Sequence, residues 1–197
     1  RPDQLSPRTF LNMQLLKAQL LQGNFQVPDD LQKARVLYES CVKLAAGTSL
    51  ATSPLLWNNI AMLRLALHDK KDALVAADEA LQLGCSLGGV SLQGRSLLAL
   101  EVDELKKVLH EPTNVTLMYN YAVILDEGGR EDEAKQILER IQQEVPQYYE
   151  CELRLCKQLV RHKRWDDASA RLQQLCTDLE SQLNAGVGAA AFVLSSS

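Results

Sequence analysis

Aromatic residues are scarce in this sequence, at 5% of 197 residues, and proline occurs only six times. Stretches in which Val, Ile and Thr alternate with polar residues, the usual sign of β-strands, are also missing. The abundant residues are Leu, Ala, Gln, Glu and Lys, which favour helices. Since 46% of the chain is hydrophobic, it has enough apolar residues to form a core. The composition therefore predicts an all-α protein.

The sequence also lacks an excess of basic residues and a long apolar run. The formal net charge is −4 and the isoelectric point is near 5.4, so the chain as a whole does not attract phosphates, and direct nucleic-acid binding is not expected. No apolar stretch approaches the ~20 residues that a membrane span needs, and no signal-peptide pattern is present. Because the chain begins with Arg1 and not with Met, we expect it to be an excerpt of a longer protein.

Paired cysteine motifs are missing as well. The cysteines are five in number and none of them forms a C-x-x-C motif: Cys41, Cys85, Cys151, Cys156 and Cys176. A disulfide framework or a zinc site would need closer pairing or neighbouring histidines. We therefore expect reduced, mostly buried thiols in an intracellular protein, and no bound metal.

An internal repeat is the strongest pattern in the sequence. The interval from Ala122 to Cys156 is the same as the interval from Ala134 to Ala168. This interval, about 34 residues, is the period of the tetratricopeptide repeat, a pair of antiparallel helices. Within each unit a small residue recurs at a shorter fixed spacing, in the pairs Ala61 and Ala73, Ala122 and Ala134, and Cys156 and Ala168. The small residues are expected where the two helices touch, because backbones approach closely only past short side chains.

The repeat predicts a right-handed α-α superhelix of tetratricopeptide-type helix pairs, in a single array over residues 1–197. The units are expected at about residues 10–46, 54–84, 115–148 and 149–182. A helical insertion over residues 85–114 separates the second unit from the third, with a loop at Gly88-Gly89 followed by an extra or extended helix from Leu92 to Leu109. Residues 183–197 are expected to form a tail or part of a further unit.

The sequence contains a distinctive succession of motifs, of which the Asn58-Asn59 pair and the run from Pro146 to Leu155 are the most specific. The motifs are Ala18-Gln19-Leu20-Leu21, Asp30-Leu31-Gln32-Lys33-Ala34 with Tyr38, Leu56-Trp57-Asn58-Asn59-Ile60-Ala61, Val115-Thr116 with Tyr119-Asn120-Tyr121-Ala122, and Pro146-Gln147-Tyr148 with Cys151-Glu152-Leu153-Arg154-Leu155. Their order resembles one family in particular, the large tetratricopeptide subunits of the RNA polymerase II-associated factor (PAF) elongation complex, and the resemblance covers roughly residues 14–180.

The resemblance implies a nuclear scaffold that accompanies RNA polymerase II and supports elongation and co-transcriptional histone modification. Its partners would be other proteins, such as subunits of a multiprotein complex, bound as extended or helical segments. The alternative is a tetratricopeptide adaptor of another assembly, in trafficking, degradation or chaperone function. The alternative to a nuclear location is the cytoplasm. Neither interpretation involves a small-molecule substrate or a membrane.

The first helix of each unit is expected to line a concave protein-binding groove. Its predicted lining is Asn58, Asn59, Met62, Tyr119, Asn120, Val123, Arg154 and Lys157. Asn59, Asn120 and Arg154 occupy equivalent places in three units and would form a ladder of hydrogen-bond donors to a bound segment. The alternative is that the asparagines bond neighbouring helix ends and the arginine is solvated. A chaperone-type carboxylate clamp is disfavoured, because Glu150 lies one turn before Arg154, where such a site needs a cation.

Signals for catalysis are missing. No P-loop, GxGxxG, GxSxG or HExxH motif occurs. His68, His110 and His162 are isolated near predicted turns or helix ends, without a Cys or acidic partner at metal-binding spacing. The sequence therefore predicts a protein that is not an enzyme and has no cofactor. The basic cluster from Arg161 to Arg164 is interpreted as a solvated turn, with an acidic partner as the alternative. Asn114-Val115-Thr116 matches the glycosylation pattern, which we interpret as a coincidence.

Overall fold

The computed structural model describes residues 6–23, 26–48 and 52–195, of which residue 7 and residues 184–195 are described by their backbone alone. These ranges contain helices and connecting turns and no strand, so the prediction of an all-α protein is confirmed. The helices are α1 (Pro7–Gly23), α2 (Pro28–Ala45), α3 (Pro54–Ala66), α4 (Lys70–Leu87), α5 (Val102–Leu109), α6 (Pro112–Glu127), α7 (Glu131–Glu144), α8 (Glu150–Arg161) and α9 (Trp165–Ser195). Among the described helices, none combines the length and the apolar character needed to cross a membrane.

Consecutive helices pack as pairs. The pairs are α1 with α2, α3 with α4, α6 with α7 and α8 with α9, and α5 is the short helix of the insertion. Neighbouring pairs meet where α3 contacts α2 and where α6 contacts both α3 and α4. The chain forms two compact units, Arg1–Glu144 and Val145–Ser197, and the second contains α8 and α9. The handedness of the superhelix and the continuity of one array over all 197 residues stay predictions.

The spaced small residues are the contact points of the helix pairs. Ala61 and Ala73 are completely buried, as are Ala122 and Ala134. In the second compact unit, Cys156 and Ala168 are each 3% exposed. The prediction that these positions lie inside the helix pairs is therefore confirmed. The earlier pair of small residues, Ala18 on α1 and Ala34 on α2, is fully buried too.

The turns inside three of the pairs use the same backbone conformation. His68, Gly129 and Lys163 each follow the small residue of the first helix by seven positions, and their φ angles are +63°, +87° and +58°. This left-handed region favours glycine, and only Gly129 adopts it without a Cβ penalty. The repeat therefore imposes one turn geometry on three different residues.

The insertion has less helix than the sequence predicts. A single 3₁₀ turn at Leu97–Ala99 and α5 replace the helix expected from Leu92 to Leu109. Gly89 and Gly94 have φ angles of +74° and +70°, which an α-helix does not allow. The loop that results is held from α7, because the Arg140 guanidinium donates hydrogen bonds to the backbone carbonyls of three of its residues, Leu97, Leu98 and Leu100.

The expected helix start at Pro54 is found, and two expected connections lie partly outside the described residues. Pro54 begins α3 at its first turn, where a missing N–H costs nothing. The expected linker from Gly47 to Ser53 and the turn from Gly23 to Asp30 each include residues outside the described ranges. Helix α9 continues to Ser195, so the backbone of residues 184–195 is helical, whereas the predicted tail includes residues 196–197 beyond the description.

Candidate functional site

The predicted groove residues lie on three first helices. Asn58, Asn59 and Met62 are on α3, and Tyr119, Asn120 and Val123 are on α6, which contacts α3 within the first compact unit. Arg154 and Lys157 are on α8 in the second compact unit and are described there by themselves.

Asn58 and Asn120 join α3 to α6. Asn120 Nδ2 donates a hydrogen bond to Asn58 Oδ1 at 2.9 Å, and Asn58 is only 7% exposed. The sequence placed Asn58 on the open face, and this placement is wrong, because the side chain turns into the contact between the two helices. The buried Oδ1 atom of Asn58 thereby has a hydrogen-bond donor. Asn120 remains half-buried beside it.

Asn59 belongs to a polar cluster that ties α1 and α2 to α3. Gln22 Nε2 donates to the backbone carbonyl of Asn59 at 3.2 Å, and Tyr38 donates its hydroxyl to Gln22 Oε1 at 2.8 Å. Burial raises the pKa of Tyr38 to about 12, and a hydrogen bond with the Asn59 side chain opposes that rise. Asn59 is half-buried, so part of it is accessible although it also bonds within the fold.

The two aligned asparagines do not have equivalent surroundings. Asn59 bonds to residues of the preceding helix pair, whereas Asn120 bonds to the neighbouring first helix. The alternative that the asparagines bond neighbouring helix ends is met only in part. Gln22, a partner of Asn59, lies in the last turn of α1, whereas Asn58, the partner of Asn120, lies within α3. A hydrogen-bond ladder to a bound segment stays a prediction.

Met62, Tyr119 and Val123 supply the apolar part of the face. Met62 packs against the core cluster and remains half-buried, as does Tyr119. Val123 is buried and so contributes less surface than the sequence predicts, because α6 turns it toward the core. Leu55 at the start of α3 adds apolar surface, since half of it is exposed. The accessible surface of α3 and α6 is thus a mixture of amide groups and apolar side chains.

In the second compact unit, Arg154 does not lie on an open face as the sequence predicts. Arg154 is buried, not solvated and not on an open face, whereas Lys157 is exposed. The neighbouring Glu152 is buried as well and forms an ion pair with Arg171 of α9, at 2.6 Å between carboxylate and guanidinium. Sequence reasoning missed this pair, because acid and base lie 19 residues apart on opposite helices. Glu150, the residue that disfavours a carboxylate clamp, is exposed.

A second feature that sequence reasoning missed is a cleft between α2 and α3, with a volume of about 290 Å³. The ring of Trp57 forms part of its wall, and buried apolar side chains from both helices form its floor. The sequence pattern marked Trp57 only as a bulky residue beside the small position Ala61. A charged residue recurring on α2 at Arg35, Glu39 and Lys43 was the available signal, since these positions share one helix face.

The other residues singled out in the sequence lie in contacts and turns of the fold. Asn114 is 2% exposed, and its Nδ2 donates to the carbonyls of Gly84 and Val108, so the folded chain does not present it for glycosylation. The basic cluster from Arg161 to Arg164 includes an exposed turn, and Arg164 is paired with Asp167 at 2.7 Å. The three histidines follow the ends of α3, α5 and α8.

Four of the five cysteines carry buried thiols of low reactivity. Cys41, Cys85, Cys151 and Cys156 are buried and free, and Cys176 is exposed. Burial raises the pKa of each buried thiol, to about 11 for Cys85 and about 12 for Cys151. Within the residues that the structure describes, no three His, Cys, Asp or Glu side chains are placed to hold a metal ion.

Of the comparisons with known proteins, only the one with solved structures finds similar chains. No protein-family model matches the chain, and no curated protein matches it. Among solved structures, it is similar to YrrB, described as a TPR protein with an unusual peptide-binding site, with a TM-score of 0.30, 16% identity and 79% of each chain covered. It is also similar to the MamA RS-1 ArsTM double mutant, with a TM-score of 0.32, 16% identity and coverage of 84% of this chain and 96% of that chain.

Proposed function

We propose that this chain is a non-catalytic scaffold that binds segments of partner proteins on the face formed by its first helices. The observation that carries the proposal is the burial of the spaced small residues, Ala61 with Ala73 and Ala122 with Ala134. These contacts occupy one face of each first helix, and Met62 of α3 and Tyr119 and Asn120 of α6 keep part of their surface accessible. A face made of side chains fixed by their own packing binds without much ordering cost.

The chemistry of that face suits a peptide. Met62 and Tyr119 are half-buried and offer apolar contact area, and Met adapts its shape to different partners. The half-buried amides of Asn59 and Asn120 can satisfy the N–H and C=O groups of an extended or helical segment. The bond from Asn120 to Asn58 holds α3 and α6 in register, so the apolar and polar contacts are presented together.

At a finer level, we propose that the chain is a segment of the large tetratricopeptide subunit of the PAF complex and acts in the nucleus. The support is the sequence alone, in the Asn58-Asn59 pair and the run from Pro146 to Leu155. In that role the scaffold would hold elongation factors near RNA polymerase II. The alternative is an adaptor of another multiprotein assembly, which would use the same face for other partners.

A pull-down with matched variants tests both levels. Met62→Lys places a charge on the proposed face. The fold should tolerate it, because the aliphatic stem of the lysine can cover the same apolar surface while its ammonium group reaches water. Val75→Lys is the control, because Val75 is exposed on the second helix α4. Circular dichroism should show that both variants keep the helical content of the parent.

The PAF proposal expects tagged parent chain and Val75→Lys to recover RNA polymerase II elongation factors from nuclear extract, detected by immunoblot, and Met62→Lys to lose them. Recovery of no such factor would reject the PAF proposal. Recovery of another defined assembly that is lost with Met62→Lys would favour the adaptor alternative. Equal recovery with all three chains would reject the face of α3 and α6 as the binding surface.

A further inference from the structure

The cleft between α2 and α3 is a surface apart from the first-helix face. Its floor is formed by Tyr38 and Val42 of α2 and by Ile60 and Leu63 of α3, and the Trp57 ring lines its side. Tyr38, Ile60 and Leu63 are buried core residues, so the floor is fixed by the packing of the molecule. The cleft is thus a rigid apolar depression in the first compact unit.

The size of the cleft limits what it can hold. Its volume of about 290 Å³ lies at the lower end of the ~300–1,000 Å³ that small-molecule sites span. A cofactor with several rings would therefore not be enclosed. One large side chain of a partner fits the space, and an apolar one would gain most because the floor and the Trp57 ring are apolar.

The rim of the cleft is positively charged. Arg35 and Lys43 of α2 and Arg64 of α3 line it, and Glu39 is the one acidic side chain among the lining residues. The positive charge of the rim contrasts with the net charge of −4 of the whole chain. An anionic partner is therefore attracted to this opening.

The acidic groups near the rim do not neutralise all of its cationic side chains. Arg35 lies 3.8 Å from Glu39 in an exposed pair, and such pairs contribute little. Arg64 is engaged by Asp72 of α4, at 3.7 Å from its carboxylate and 3.2 Å from its backbone carbonyl. Lys43 forms no ion pair with any residue in the described ranges. Lys43 and Arg35 are thus the cations that a partner carboxylate can recruit.

We propose that this cleft binds an acidic peptide segment of a partner protein, with one large apolar side chain inserted beside Trp57 and flanking carboxylates paired with Lys43 and Arg35. The insertion buries apolar area at the centre, and the charges on the rim orient the segment and speed its association. Single-stranded nucleic acid, which also combines stacking with phosphate contacts, fits less well, because the recess is narrow and the chain as a whole is acidic.

The test uses the full 197-residue chain carrying Trp165→Phe, which leaves Trp57 as the single tryptophan. The probe is a short synthetic peptide with one Phe flanked by Asp and Glu on both sides. Two further peptides replace the Phe by Ser or the acids by Lys. Binding of the acidic Phe peptide should change the emission of Trp57, and both replacements should remove that change.

Charge-reversal variants locate the site. Arg35→Glu with Lys43→Glu should weaken binding of the acidic peptide by about tenfold or more, since two contacts turn repulsive. Lys33→Glu is the matched control, because Lys33 is exposed on the opposite side of the same helix and lines a different surface depression. It should change the affinity by less than about twofold. Circular dichroism should confirm that each variant keeps its helical content.

Four results would overturn the proposal. They are no binding of the acidic Phe peptide, equal binding of the Ser peptide, equal weakening by Lys33→Glu, and binding without any change in Trp57 emission. Tighter binding of a single-stranded DNA oligonucleotide than of the peptide would assign the cleft to nucleic acid instead. None of these outcomes involves Met62, so the function proposed for the first-helix face would be unaffected.

Discussion

Replacing Gly84 by alanine should destabilise the chain, although the same replacement inside an ordinary helix stabilises it. Gly84 lies near the end of α4, where α6 crosses it closely. A Cβ atom at this position would lie 2.7 Å from Leu117 Cδ1 and closer still to Asn114 Oδ1. Both neighbours are buried, and the Asn114 amide is held by hydrogen bonds to the carbonyls of Gly84 and Val108 at 3.3 and 3.0 Å.

The magnitude follows from three contributions. Overpacking of a buried contact costs about 1–3 kcal/mol. Displacement of Asn114 weakens a hydrogen bond that contributes about 1 kcal/mol. The alanine regains about 1 kcal/mol of helix propensity relative to glycine. The free energy of unfolding should therefore fall by about 1–3 kcal/mol.

Urea unfolding followed by the fluorescence of Trp57 in a Trp165→Phe background measures this change within the first unit. Gly23→Ala is the control, because a Cβ there meets nothing within 4 Å, and its stability should stay within a few tenths of a kcal/mol or rise. In an Asn114→Ala background, Gly84→Ala should cost less, since one obstacle is gone. A rise in stability on Gly84→Ala alone would refute the close crossing of α4 and α6.

Four further predictions follow from other contacts. Ala134→Leu should lower the free energy of unfolding in urea by about 1–3 kcal/mol, because the residue is fully buried between α6 and α7. His68→Gly should raise it by up to about 1 kcal/mol in the same assay, since a φ angle of +63° strains any residue with a Cβ. Arg140→Met should speed hydrogen exchange in residues 90–101, because the carbonyls of Leu97, Leu98 and Leu100 lose their donor. Iodoacetamide at about pH 8 should modify Cys176 and spare Cys85, because a thiol with a pKa of about 11 stays protonated there.

Each of these predictions has a control and a contrary result. For Ala134→Leu the control is Lys135→Leu, which is exposed on the same helix, and equal losses would place Ala134 outside the contact. Gly129→Ala should lose stability where His68→Gly gains it, so a gain in both would contradict the shared turn geometry. Unchanged exchange in Arg140→Met would show that the loop is held by other contacts. Modification of Cys85 as fast as Cys176 in the native chain, read by mass spectrometry, would contradict its burial.

The sequence by itself determined the helix pairs. A short side chain that recurs at fixed intervals identifies where two helices touch. The spacing is readable in the sequence because the same contact is repeated in each unit. Helix ends were equally readable, since Pro54 fits only the first turn of α3 and Gly129 permits the left-handed turn before α7. These features depend on the local chain and on its period.

The tertiary structure decided how the groove residues are used. Asn58 and Asn59 are adjacent in sequence, yet Asn58 bonds to α6 and Asn59 contacts α1 and α2. A helix rotates by about 100° per residue, so neighbours in the chain face different helices, and which helix stands opposite depends on packing that the period does not specify. The bonds of Asn114 to Gly84 and Val108, the grip of Arg140 on the insertion and the cleft beside Trp57 arise in the same way, from residues brought together across helices.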